Sequence, residues 1–342
     1  TPLRLGAAAP RTARCRARVA PLSWLPKQAM PGARANTPLR SSERQVGCRQ
    51  DGGTMDDDLQ RLVAKLESPS PDIRDAGARE LIAVGEAALP HLYRCLESPL
   101  VGTREAAARA LGQIGNVEAV RALAPLLAAE PEAVVRAAAS RALTQIGRSS
   151  PEAVHAVAEL LSADQWLLRK AAADALIQIG RGSVPALVRC LEDPDAPLRG
   201  YAAWVLGQIG EAACDAVAPL AALLDDAERS VVREAAWALS RIGPASVEAL
   251  VDALERATPM AREYAARALG RIQEPPPRAI EQLSRLLRDA SCWVREASAI
   301  ALGALGVLAQ PAGPDLVRLL RDDEPRVRVA AAQSLALIRP DS

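Results

Sequence analysis

From about residue 56 onward, apolar residues recur three and four positions apart, the spacing that lines one face of an α-helix, and the amphipathic stretches come in pairs. The second member of each pair follows a fixed pattern. An apolar residue and an arginine open it, an alanine-rich turn follows, a leucine stands seven residues after the arginine, and Ile or Val with Gly closes it. Copies include IRDAGARELIAVG (73–85), TREAAARALGQIG (103–115), LRGYAAWVLGQIG (198–210) and VREASAIALGALG (294–306). The anchoring leucines are Leu81, Leu111, Leu143, Leu176, Leu206, Leu239, Leu269, Leu302 and Leu335, spaced 30 to 33 residues apart. That period is the length of one helical hairpin in a stacked array.

The first member of each pair is shorter, as in AVRALAPLLAA (119–129) and AIEQLSRLLRD (279–289), and breakers such as Ser68-Pro69-Ser70-Pro71 separate it from the second. Gly115, Gly147, Gly180, Gly210 and Gly243 stand where second helices end, so left-handed caps are expected there. The sequence therefore predicts an all-α superhelix of about nine hairpins over residues 55–342, each unit burying its faces against its neighbours. Alanines three, four and six residues after each arginine predict close helix approach. The chain ends Arg339-Pro340-Asp341-Ser342, which reads as a polar end cap.

The unit VRxxAAxALGxIG resembles the HEAT-like repeat of the phycobilisome-lyase type, over roughly residues 56–340. The resemblance implies a HEAT-like solenoid whose second helices line a concave surface. Such repeats serve in scaffolds, lyase subunits and enzymes alike, so the resemblance by itself leaves the function open. The sixth unit departs from the pattern, because Val232 takes the arginine slot and Arg233 falls one place later.

Composition changes this picture in two ways. Aromatic residues make up 2% of the chain, with no Phe, five Trp and three Tyr, so the core has to be built from Ala, Leu, Val and Ile. Charge is uneven despite a formal net of +1: residues 1–54 carry ten of the 42 Lys and Arg but only Glu43 and Asp51 of the 41 acids, leaving 32 bases against 39 acids in the remainder. The first 54 residues lack apolar periodicity and are expected to be a disordered basic tail. They read either as translated sequence upstream of a start at Met55 or as an organelle transit peptide; under the first reading the protein is expected in the cytoplasm. The acidic body speaks against a nucleic-acid binder, and no apolar run approaches the ~18 residues of a membrane span.

Candidate chemistry is sparse. His91 and His155 are isolated, neither is followed by Glu, and the six cysteines contain no C-x-x-C, so no metal, cofactor or catalytic residues are assigned. The thiols are expected to be reduced. The arginines heading the second helices are expected to pair with carboxylates and tie repeats together, with Asp72, Asp193, Asp195, Asp322 and Asp323 nearby.

Counting from that arginine, positions two, five and nine fall on one helical stripe and escape the Ala, Leu and Ile pattern. They collect Tyr201, Trp204, Trp237 and Tyr264, half of the aromatics, with Arg241, Arg267 and Arg271 beside them and Arg109 and Arg141 upstream. Exposed Trp, Tyr and Arg are the residues from which interface hot spots are made. The expected function is a protein-binding scaffold whose concave stripe holds a partner presenting acidic and apolar groups. An open-chain tetrapyrrole is the alternative ligand, since RGYAAWVLG (199–207) is similar to the Tyr-Ala-Ala-Trp variant of phycobilin lyases; a nucleic-acid groove is a third reading. Trp166 and Trp293, just before the arginine slots, read as turn packing.

Overall fold

The computed structural model describes residues 55–256 and 258–338 of the 342-residue chain, so the basic tail and the C-terminal cap residues lie outside the described residues. Among the described residues are eighteen α-helices and no strand. They are α1 (Met55–Leu66), α2 (Pro71–Val84), α3 (Leu89–Cys95), α4 (Val101–Ile114), α5 (Ala119–Ala129), α6 (Ala133–Gly147), α7 (Pro151–Glu159), α8 (Trp166–Ile179) and α9 (Val184–Cys190). The array continues with α10 (Ala196–Ile209), α11 (Val217–Ala222), α12 (Arg229–Ile242), α13 (Val247–Leu254), α14 (Pro259–Leu269), α15 (Pro277–Leu286), α16 (Cys292–Ala304), α17 (Gly313–Leu319) and α18 (Pro325–Ile338). Each odd-numbered helix forms a hairpin with the next, giving nine units, and the even-numbered helices pack on one another in a second layer. The core between the layers is Ala and Leu, with Leu81, Leu111, Leu143, Leu176 and Leu206 fully buried.

The glycine caps differ from the sequence reading. Gly115 caps α4 in the left-handed conformation (φ 75°, ψ 17°), Gly180, Gly210 and Gly243 have positive φ but ψ between −132° and −137°, outside the left-handed helical region, and Gly147 is the last residue inside α6 and does not have positive φ. A Cβ there would lie 2.5 Å from Ile179 Cδ1, the free end of that side chain.

Arg74, Arg104, Arg136, Arg169, Arg199, Arg295 and Arg328, at the heads of their second helices, each donate from Nη1 to the two carbonyls five and six residues before them, as Arg199 does to Asp193 and Pro194 at 2.8 and 2.9 Å, and Arg262 donates to the Arg256 carbonyl. Four of these arginines also clamp the next unit through paired bonds to a carboxylate: Arg104 to Glu130, Arg199 to Asp226, Arg262 to Asp289 and Arg295 to Asp322, all at 2.7–3.1 Å. The ladder is therefore real, but its acid stands in the turn of the following unit. Of the acids singled out from the sequence, Asp322 serves in it. The same carboxylates accept the backbone N–H two residues on, as Asp226 does from Glu228, which fixes them in place.

Glycine decides where the clamp closes. The residue after the anchoring leucine is Gly112, Gly207, Gly270 or Gly303 in the four clamped units, and a Cβ at each would come within 2.6–2.9 Å of a Cα in the neighbouring helix. The other units carry Ile82, Thr144, Ile177 and Ser240 at that position. The fourth unit isolates the cause, because Arg169 and Asp193 stand in the two clamp slots, yet Arg169 bonds only the carbonyls of its own turn. Ile177 stands where the clamped units have glycine, and α8 and α10 touch over far fewer residues than α10 and α12 do. In the sixth unit Val232 is buried, and the facing slot of the next turn is Arg256, so an arginine there would have met a like charge.

Substituting Ile for Gly270 is accordingly expected to wedge α14 from α16, break the Arg262–Asp289 pair and cost about 1–3 kcal/mol or more, measurable as early urea unfolding of the C-terminal units. Acid is expected to act on the same pairs. The hydrogen bond from Arg104 holds the Glu130 carboxyl below its ordinary value, and that from Arg295 does the same for Asp322. Folded-state pKa values that are depressed give stability that is present above the unfolded values near ~4 and is lost as pH falls through the folded ones. Urea midpoints measured from pH 7 downward are expected to drop below about pH 4, less steeply in Arg104→Met.

A basic aromatic hollow on the second-helix layer

The stripe on the even-numbered helices is formed by positions one, five and nine after the arginine slot. Position two is a buried alanine in the second, third, fourth, eighth and ninth units and becomes half-exposed where it is Tyr201, Glu234 or Tyr264. Four-residue steps return a helix nearly to the same azimuth, which is why one, five and nine align.

Across α10 to α16 this stripe holds a hollow of about 590 Å³ lined by Trp204, Trp237, Tyr264, Arg267 and Arg271, together with Arg229, Arg233, Glu234, Glu263 and Trp293. Five residues picked from the sequence are thus brought together. Tyr201 stands against Trp204, ring centroids 5.5 Å apart and tilted by 31°, and lines an adjoining groove with Pro197, Gly200 and Glu234. Arg241 is exposed on the same stripe outside the hollow. Arg109 and Arg141 lie three and two units before the hollow: Arg109 pairs with Asp75 at 2.8 Å, and Arg141 is exposed.

The floor is a charge network. Glu263, only 4% exposed, accepts from Arg229 at 3.3 Å and pairs with Arg267 at 3.2 Å. Arg229 also donates to the Tyr264 hydroxyl at 3.1 Å, and its guanidinium sits 5.5 Å from the Tyr264 ring centre and 5.9 Å from that of Trp293. Arg326 stacks on Trp293 at 3.7 Å. Trp293 is therefore a half-exposed wall residue, and Trp166 is 58% exposed, so neither is buried turn packing. Four arginines against two glutamates leave the lining basic. Trp237 holds its place because its ring lies against Gly207, where a Cβ would come within 2.4 Å of the ring.

Sequence reasoning missed Arg229, Glu263 and Trp293. Arg229 and Trp293 precede the arginine slot by three and two residues, where the chain enters the helix, so helical periodicity counted forward from the slot does not reach them. Among the described residues no group of three His, Cys, Asp or Glu is placed to hold a metal ion, and no helix is long and apolar enough to cross a membrane. Cys95, Cys190, Cys214 and Cys292 are unpaired; burial, reinforced by the Glu67 charge, pushes the Cys95 thiol up to about 11.

Stacked helical hairpins with an exposed basic and aromatic stripe define a helical-repeat protein. The chain belongs to the HEAT-repeat family: the model for HEAT repeats matches residues 59–144, 125–199, 184–258 and 247–336. Among solved structures, the chain is similar to yeast importin-β (Kap95p), at 16% identity over 82% of this chain and 45% of that one, with a TM-score of 0.43. It is also similar to the archaeal HEAT-like repeat protein from Thermococcus onnurineus, at 14% identity over 65% of this chain and 97% of that one (TM-score 0.41), and to human deoxyhypusine hydroxylase, at 22% identity over 83% and 96% (TM-score 0.31). The chain spans less than half the length of the importin-β chains it matches. Among curated proteins, no sequence matches this chain.

Proposed function

We propose that the protein is a scaffold that holds another protein against the second-helix stripe, with the hollow between α10 and α16 as the anchoring site. The observation that carries this reading is the hollow itself, in which four aromatic rings and four arginines converge from four consecutive units. Trp and Arg gathered in one recess are the groups that dominate binding energy at protein interfaces. Excess positive charge favours a partner with acidic groups next to an apolar anchor. Affinity capture with the full chain and with its Trp204→Ala/Trp237→Ala variant tests the reading: a partner retained by the first and lost by the second supports it, and equal retention overturns it.

The Tyr201–Trp204 ring pair favours one alternative, an open-chain tetrapyrrole laid on the rings with its propionates on the arginines. Incubation with phycocyanobilin decides this: an unchanged absorbance spectrum removes it.

A further inference from the structure

Position nine of the stripe forms a second feature that the hollow does not use. In six consecutive units it is Gln113, Gln145, Gln178, Gln208, Arg241 and Arg271, and all six are exposed. None of these side chains has a hydrogen-bond or ion-pair partner within the protein. Most other arginines of the second-helix layer are paired, so this row stands apart in its chemistry. It is also bounded: the same position is Ala83 in the unit before and Ala304 in the unit after.

We infer that this row is the track for an extended peptide segment of the partner, running across units two to seven with its acidic end at Arg241 and Arg271. The inference rests on the groove reading above and names what lies in the groove. A carboxamide is both donor and acceptor, which matches the N–H and C=O that an extended main chain presents outward. Four identical glutamines carry no means of telling one side chain from another, so they read the backbone. The two arginines read charge, and Arg271 also lines the hollow, which places the apolar anchor beside the acids.

Length supports the match. Six helices stacked ~8–10 Å apart span about 40–50 Å, and an extended chain rising ~3.3 Å per residue covers that with about 12–15 residues. One glutamine then meets the segment about every third residue. A nucleic-acid strand fits the track less well, because Glu105 and Glu296 stand on the same stripe, with Glu234 beside it, and repel phosphates.

The test uses the full chain and a display library of random 15-residue peptides, the tightest selected peptide being synthesised for titration. The expected selection has acids clustered at one end beside an aromatic residue and no consensus over the rest. The Gln113→Ala/Gln145→Ala/Gln178→Ala/Gln208→Ala variant, whose exposed changes leave the fold intact by circular dichroism, is expected to weaken binding by about threefold per glutamine, on the order of eightyfold together. N-methylation of every third peptide bond is expected to do the same to the original chain and nothing further to the variant. If the quadruple variant binds normally while Trp204→Ala/Trp237→Ala does not, the track is wrong and the groove stands. Binding unaffected by either variant, or failure to select any peptide, overturns both, and tighter binding of a (dT)15 strand than of the peptide replaces the inference with a nucleic-acid groove.

Discussion

Arg199→Ala is expected to lower stability by about 3–5 kcal/mol, the cost of leaving a buried carboxylate without its cation. The Arg199 side chain is 16% exposed and that of Asp226 is 7% exposed, joined by two bonds at 2.8 and 3.0 Å. Alanine strands Asp226 and also removes the donor to the Asp193 and Pro194 carbonyls. Urea unfolding followed by the fluorescence of the nearby Trp204 and Trp237 is the measurement. Arg169→Ala is the control, because Arg169 makes the same carbonyl bonds at 2.6 and 2.9 Å without a carboxylate. Its cost is expected near 1–2 kcal/mol, from those bonds alone. Equal losses in the two variants would mean that the clamps add nothing to the stacking of units. Each unit in such an array leans on its neighbours alone, so the loss in Arg199→Ala is expected as an early transition at the junction of units five and six.

The second large effect concerns binding. Removing both Trp204 and Trp237 is expected to weaken the captured partner by about a thousandfold, since truncating a hot-spot tryptophan costs ~2 kcal/mol or more and each tenfold is about 1.4 kcal/mol. Both rings are half-buried against the helical layer and reach the hollow from adjacent helices, so each presents a pre-set face to a ligand. Titration of the purified partner gives the number. Trp166→Ala supplies the comparison: that ring is more exposed than either but stands outside the hollow, and its loss is expected to leave affinity unchanged. A similar loss from Trp166→Ala would mean that the rings act through general stickiness rather than through this site.

Much of the fold was legible in the sequence because a repeated unit states its rule nine times. The leucine period gives the hairpin length, and the small residues around it give close packing, which the buried Ala and Leu core bears out. The clamp was half legible. The arginines were expected to meet carboxylates, but which carboxylate depends on how near the next turn comes, and glycine one residue past the leucine sets that distance. Reading that glycine together with the acid six residues before the next arginine slot would have found all four pairs.

The site divides along the same line. Trp204, Trp237, Arg267 and Arg271 share a stripe by helical period, so the sequence alone placed them on one face, whereas Tyr264 at position two reaches the hollow from beside it. Arg229, Glu263 and Trp293 join them through contacts between units: a side chain at a helix start reaches 34 or 35 residues ahead to the next helix. Arg109 shares the periodic stripe, but stacking three units away puts it beside Asp75 instead. The sequence by itself determined the unit, its number and the common face of positions five and nine, because these follow from the 3.6-residue turn and the repeat length. Only the tertiary structure decided which units press together and which side chains from different units share one hollow, because those distances depend on the bulk at each junction rather than on periodicity along the chain.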